Sequence, residues 1–181
     1  LRKQLPASIK WQSLSDTETL INGISYWGLK KTLSKLVGMF AFALWDIEQK
    51  KLTLVRDRLG EKPLYYGFIG KTIIFGSELK SIEAFPEISP KIDKKSLEIY
   101  LRFGYIPAPL SIYEGIYKLS PGNFIQFSME NIKAKKIPNS KKYWSLEKII
   151  HEQQTHPFLG SETNAIDYLE TLLKETISSQ I

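Results

Sequence analysis

From Ser15 onward the apolar residues follow two rhythms. Leu20, Ile21, Ile24 and Trp27 recur at helical spacing and predict a helix. Ser15-Asp16-Thr17-Glu18 ahead of them reads as a capping box, Ser15 at the N-cap and Glu18 three residues on, and Gly28 is the stop. A shorter helical run, with Leu29, Leu33 and Leu36 on one side, leads to Gly38. The rhythm then changes. Residues 39–45 are apolar on both alternating faces between Gly38 and Asp46, which predicts a buried strand with Phe40, Phe42 and Trp45 in the core. Further strands at 52–57, 64–69 and 72–76, joined by short turns that include Gly70-Lys71, complete a predicted four-strand meander.

Beyond the meander, Ser77 is placed to cap a short helix over 78–85 that Pro86 ends. Asp93 is placed to cap another, with Leu97, Tyr100 and Leu101 inward and Gly104 at its end. The Pro-, Gly- and Tyr-rich stretch 105–121 predicts irregular structure, and 123–129 returns to strand alternation. Residues 132–157 are lysine-rich and weakly patterned, as in a linker. From Ser161 a long helix carries Ile166, Leu169, Leu173, Ile177 and Ile181 on one face. Strands flanked by helices predict an α+β architecture in which helical layers cover sheets.

Composition narrows the chemistry. The 181 residues, 43% hydrophobic and 24% charged, suit one domain or one domain and the start of another. No apolar run approaches the roughly 20 residues of a membrane helix. With no cysteine there is no disulfide, thiolate metal site or cysteine nucleophile within these residues. His151 and His156 are too thin a basis for a metal site or a catalytic triad. The net charge of +6 comes mostly from scattered lysine pairs such as Lys30-Lys31 and Lys94-Lys95, which fits a solvated surface better than a nucleic-acid interface. Leu1-Arg2-Lys3-Gln4 carries neither an initiator methionine nor a secretory signal, and the last helix halts uncapped. The expectation is an internal piece of a cytoplasmic protein.

Several ordered segments carry a resemblance. They are the Ser15-Asp16-Thr17-Glu18 helix, 38–46 (GMFAFALWD), 56–67 (RDRLGEKPLYYG), 75–80 (FGSELK) and 104–122, with its Ile106-Pro107-Ala108-Pro109 and Lys118-Leu119-Ser120-Pro121-Gly122. In that order and spacing they resemble the glutaminase half of glutamine-hydrolysing asparagine synthases, over nearly the whole chain. The resemblance implies part of an N-terminal-nucleophile αββα sandwich, with antiparallel sheets and helices outside, then a linker and the first helix of a synthetase domain. It places the amidotransferase part at 1–130, the linker at 131–160 and the start of an ATP-pyrophosphatase-type synthetase domain at 161–181.

In such enzymes an N-terminal cysteine attacks the glutamine carboxamide, its own α-amino group acting as base. Ammonia leaves, and water hydrolyses the thioester. The ammonia passes to a second domain that uses ATP and Mg²⁺ to adenylate aspartate. No catalytic residue of that scheme falls within these residues, nor do the nucleotide and metal sites. Asp16 alone matches a substrate position, the aspartate that holds the α-amino group of glutamine. From local sequence alone, Asp16 reads first as completing the cap beside Ser15, and the ligand role is what the resemblance implies. The 56–67 block could form an ion-pair network of Arg56, Asp57, Arg58, Glu61 and Lys62 across a turn. The expected partners are glutamine here, with aspartate and ATP in the second domain. No nucleic acid or membrane is expected, and a homodimer is allowed. Two alternatives stay open: an amidotransferase for another acceptor, such as a sugar acid, or a non-catalytic interaction domain.

Overall fold

The computed structural model describes residues 1–86 and 89–178, which divide into two compact units. One comprises Leu1–Gly38 with the residues from Ser145 onward, the other Met39–Trp144.

In the first unit a turn of 3-10 helix at Arg2–Gln4 precedes α1 (Asp16–Trp27) and α2 (Leu29–Lys35). Gly28 ends α1 with φ +79°, a conformation few residues but glycine adopt. The two helices pack together where α1 presents Gly23. A Cβ there would lie 3.3 Å from Cγ2 of the fully buried Thr32, so a larger residue would press on it. Later come α6 (Leu146–Gln154) and α7 (Glu162–Ser178). Ser161 and Asn164 cap α7 reciprocally, and its Ile166, Leu169, Leu173 and Ile177 lie exposed along the expected face. Ile181 lies outside the described residues.

The second unit is built on two antiparallel sheets. One has the order β1-β2-β6-β7 and the other β4-β3-β5. Their strands are β1 (Ala41–Asp46), β2 (Lys51–Arg56), β3 (Tyr65–Ile69), β4 (Thr72–Gly76), β5 (Ile116–Lys118), β6 (Asn123–Ser128) and β7 (Lys141–Lys142). The expected meander is therefore two hairpins in different sheets, because the chain changes sheet between β2 and β3. The expected buried strand is also displaced by one. Edge strand β1 leaves Trp45 47% exposed, with Phe40 and Phe42 half-buried. Interior strand β2, held between β1 and β6, is buried from Leu52 to Arg56 on both faces.

Both sheets feed one core. Leu52, Leu54, Ile125 and Phe127 come from the first sheet, Tyr66 from the second, and Leu64 and Leu119 from the connections. Phe127 meets Tyr66 and Phe68 edge-on, with ring centroids 6.0 and 6.1 Å apart.

Four local expectations need correction. Helix α3 (Leu79–Glu83) is shorter than expected and its N-cap is Glu78 without a side-chain bond, so Ser77 caps nothing. Helix α4 (Lys94–Phe103) does have its Asp93 cap and its left-handed Gly104, but Tyr100 and Leu101 point outward and Ser96 is the buried residue. Asp93 binds the Ser96 hydroxyl as well as the Lys95 N–H, which explains a polar residue on the inner face. The irregular stretch 105–121 contains β5. The weakly patterned 132–157 takes in the end of α5 (Met129–Lys133), β7 and α6, and β7 pairs with β6.

Candidate functional site

Asp16 is the first residue of α1 and is exposed. Ser15 is the N-cap as expected, but the reciprocal half of the capping box does not form. Ser15 accepts the N–H of Thr17 at 3.1 Å. Glu18 does not return to Ser15. One oxygen accepts the N–H of Gln12 at 2.8 Å, and the other takes the N–H and hydroxyl of Ser13, each at 2.8 Å. These bonds, chiefly that from Gln12, then those from Ser13 and lastly the charge of Arg2, hold the Glu18 carboxyl below the usual carboxylate range against its partial burial. With Ser15 capping and Glu18 engaged, the Asp16 carboxylate makes no hydrogen bond or ion pair among the described residues. It lines an open cavity of about 530 Å³ with Leu1, Arg2, Leu14, Thr19, Lys35 and Val37. A carboxylate at a helix N-terminus suits an ammonium ligand through a charge-assisted hydrogen bond.

Arg2 is the residue that sequence reading missed. Its guanidinium lies 4.2 Å from the Trp11 ring centroid. Nε donates to the Thr19 hydroxyl at 3.2 Å, and Nη2 donates to the carbonyls of Ser13 at 2.7 Å and Ser15 at 3.5 Å. Nη2 also stands 3.8 Å from Oε2 of Glu18. No periodicity links Arg2 to residues 13–19. The only available signal was an arginine among many lysines.

In the second unit, Arg56 and Asp57 turn out to serve the backbone. Arg56 donates to the carbonyls of Lys62 (2.8 Å), Leu119 (2.7 Å) and Gly60 (2.5 Å). Fully buried Asp57 accepts the N–H groups of Glu61 and Lys62, both at 2.9 Å. Where an ion-pair network was expected, Glu61 and Lys62 thus contribute main-chain groups, and their side chains lie exposed. Gly60 is required there. At φ +72° its Cβ would meet Pro121 at 2.7 Å and the Arg56 guanidinium at 3.0 Å. Burial lowers the Arg56 pKa, opposed by the charge of Asp57. The knot holds the crossing between the sheets. It is scaffold.

Comparison with known proteins fixes the family. The glutamine amidotransferase domain matches residues 1–144. The chain belongs to that family. Among curated proteins, this amidotransferase domain is similar to "Asparagine synthetase [glutamine-hydrolyzing] 3" of Bacillus subtilis. The two are 32% identical over 183 residues, covering 100% of this chain and 28% of the relative. It is also similar to a putative asparagine synthetase of Methanocaldococcus jannaschii, at 33% identity over 152 residues, 80% of this chain and 29% of the relative. The chain thus spans little more than a quarter of the length of these relatives. Among solved structures, the glutamine phosphoribosylpyrophosphate amidotransferase of B. subtilis, complexed with ADP and GMP, superposes with a TM-score of 0.50. The identity is 20%, over 79% of this chain and 25% of that one. That likeness shows the fold: the amidotransferase domain has the N-terminal-nucleophile architecture, with antiparallel sheets in a mixed α+β chain. Among its described residues no helix is long and apolar enough to cross a membrane.

Proposed function

We propose that this amidotransferase domain supplies ammonia from glutamine to an ATP-dependent synthesis of asparagine from aspartate in the cytoplasm, and that Asp16 holds the α-ammonium of glutamine. The observation that carries the site is the unengaged Asp16 carboxylate on the wall of an open cavity. A residue serving only as a cap would be bonded to the first-turn N–H groups, and Ser15 already fills that place. The acceptor rests on the asparagine synthetase relatives, whose remaining length has room for a second domain. Of the 131–160 segment, the part after the matched residues 1–144 then bridges towards that domain, and 161–181 begin it.

In this reading glutamine docks with its ammonium on Asp16 and its carboxamide towards a cysteine thiol outside these 181 residues, which contain none. ATP and Mg²⁺ would supply the energy to activate aspartate in the second domain. The described residues hold no group of three or more acidic or histidine side chains suited to a metal.

The test is Asp16→Asn in the full-length enzyme. A charge-assisted hydrogen bond is worth about 1.5–3 kcal/mol, so the glutamine KM should rise roughly ten- to a hundredfold. Synthesis from free ammonia should be unchanged. Equal loss of both activities would assign Asp16 to structure instead.

A further inference from the structure

The position of Asp16 is decided by the residues just before it. Its own carboxylate has no hydrogen-bond or ion-pair partner among the described residues, so its place on the cavity wall follows from the backbone at 12–15 and the start of α1. An irregular segment cannot pair its own N–H and C=O groups, and they need partners from elsewhere. Here one ion pair supplies both polarities. Glu18 takes the donors, the N–H groups of Gln12 and Ser13 with the Ser13 hydroxyl, all at 2.8 Å. Arg2 takes the acceptors, the carbonyls of Ser13 and Ser15 at 2.7 and 3.5 Å. The clamp is closed by the 3.8 Å approach of Nη2 to Oε2. It is braced by Trp11 against the guanidinium and by Thr19 on Nε.

Arg2 and Glu18 also answer an electrostatic problem. A guanidinium near a helix N-terminus opposes the helix dipole and would repel a substrate ammonium in the same cavity. Glu18, in the first turn of α1 and 3.8 Å from Nη2, offsets it. Lysine could keep the charge at position 2 but not the planar fork that reaches Thr19 and two carbonyls at once.

We propose that Arg2 and Glu18 are positioning residues for glutamine binding, a clamp on residues 12–15 that fixes where Asp16 presents its carboxylate. The proposal rests on the reading of Asp16 as the ammonium ligand. Neither residue touches the reacting atoms.

The experiment uses the full-length enzyme and follows glutamate formation from glutamine. Arg2→Met and Glu18→Gln should each raise the glutamine KM about five- to tenfold while kcat stays within about twofold. Arg2→Lys should fall between wild type and Arg2→Met. Because the clamp acts through Asp16, adding either substitution to Asp16→Asn should change KM no further. Thr19→Val, which removes the acceptor of Arg2 Nε and a 3.3 Å bond to the Ser15 carbonyl but leaves the Arg2–Glu18 pair, gives a milder KM increase and keeps the test available where Arg2→Met is poorly folded. An unchanged KM in all of these variants, beside a raised KM in Asp16→Asn, overturns the clamp and leaves the Asp16 reading intact. So does full additivity with Asp16→Asn. An unchanged KM in Asp16→Asn itself removes the underlying reading, and the clamp with it.

Discussion

The hydroxyl of Tyr143 donates to the main-chain carbonyl of Arg56 at 2.8 Å, across 87 residues of sequence. Partial burial, chiefly, keeps that phenol protonated far above the usual range, with the nearby Asp57 charge adding to the effect. Tyr143→Phe removes the donor and leaves a carbonyl in β2 without it. The expected loss is about 1–2 kcal/mol, read as a lower urea midpoint with unchanged slope.

Arg56 should be more costly to replace. Arg56→Met withdraws donors from three carbonyls, Leu119 among them at a buried contact. A loss of about 3 kcal/mol or more is expected from equilibrium denaturation. Asp57→Asn keeps one acceptor of the two used by Glu61 and Lys62 and should lose about half as much.

Gly122 offers a steric test of the same region. Its φ is +64°, and a Cβ would stand 2.6 Å from the Trp144 carbonyl oxygen. Its own N–H donates to the Asp57 carbonyl at 2.7 Å, so it cannot retreat. Gly122→Ala should cost at least about 2 kcal/mol, combining left-handed strain with a backbone clash, and should lower the melting temperature visibly.

Glu18 predicts a pH dependence. Its folded pKa lies below the unfolded value, so its contribution is complete above about pH 4.3 and is lost as pH falls through the lower folded value. Between pH 7 and pH 3 the wild type should therefore lose more thermal stability than Glu18→Gln, which has no proton to take up. Identical melting-temperature losses in the two proteins would contradict the assignment.

A last prediction follows from composition. The 181-residue chain contains no cysteine, so on its own it should release no ammonia from glutamine in a coupled assay. Ammonia production above the no-enzyme rate would require a different nucleophile from the one proposed.

What could be read in advance was what neighbouring residues decide among themselves. The Asp93 cap and the left-handed Gly104 bracket α4 as expected, and Gly70-Lys71 joins paired Ile69 and Thr72. The partition of the strands was hidden because it depends on Arg56 bonding a carbonyl 63 residues away. Burial was misjudged at Trp45 for a related reason: apolar composition does not tell an edge strand from an interior one, and Thr53 and Arg56 lie deeper than Trp45. At the candidate site, Asp16 was singled out only through the family resemblance, since its local motif reads first as part of a cap. Its freedom from the cap was not visible, since that required Glu18 to prefer Gln12 and Ser13 over Ser15.

The sequence span of the Arg56 knot has a kinetic side. The β1–β2 and β3–β4 hairpins close over loops of a few residues and can form early. Ties from Arg56 to Leu119 and Tyr143 need loops of 63 and 87 residues to close first, a larger entropic cost. The knot is therefore expected to complete late, after the transition state. Weakening it should leave the refolding rate nearly untouched and quicken unfolding, so that its contribution is to how long the folded domain lasts.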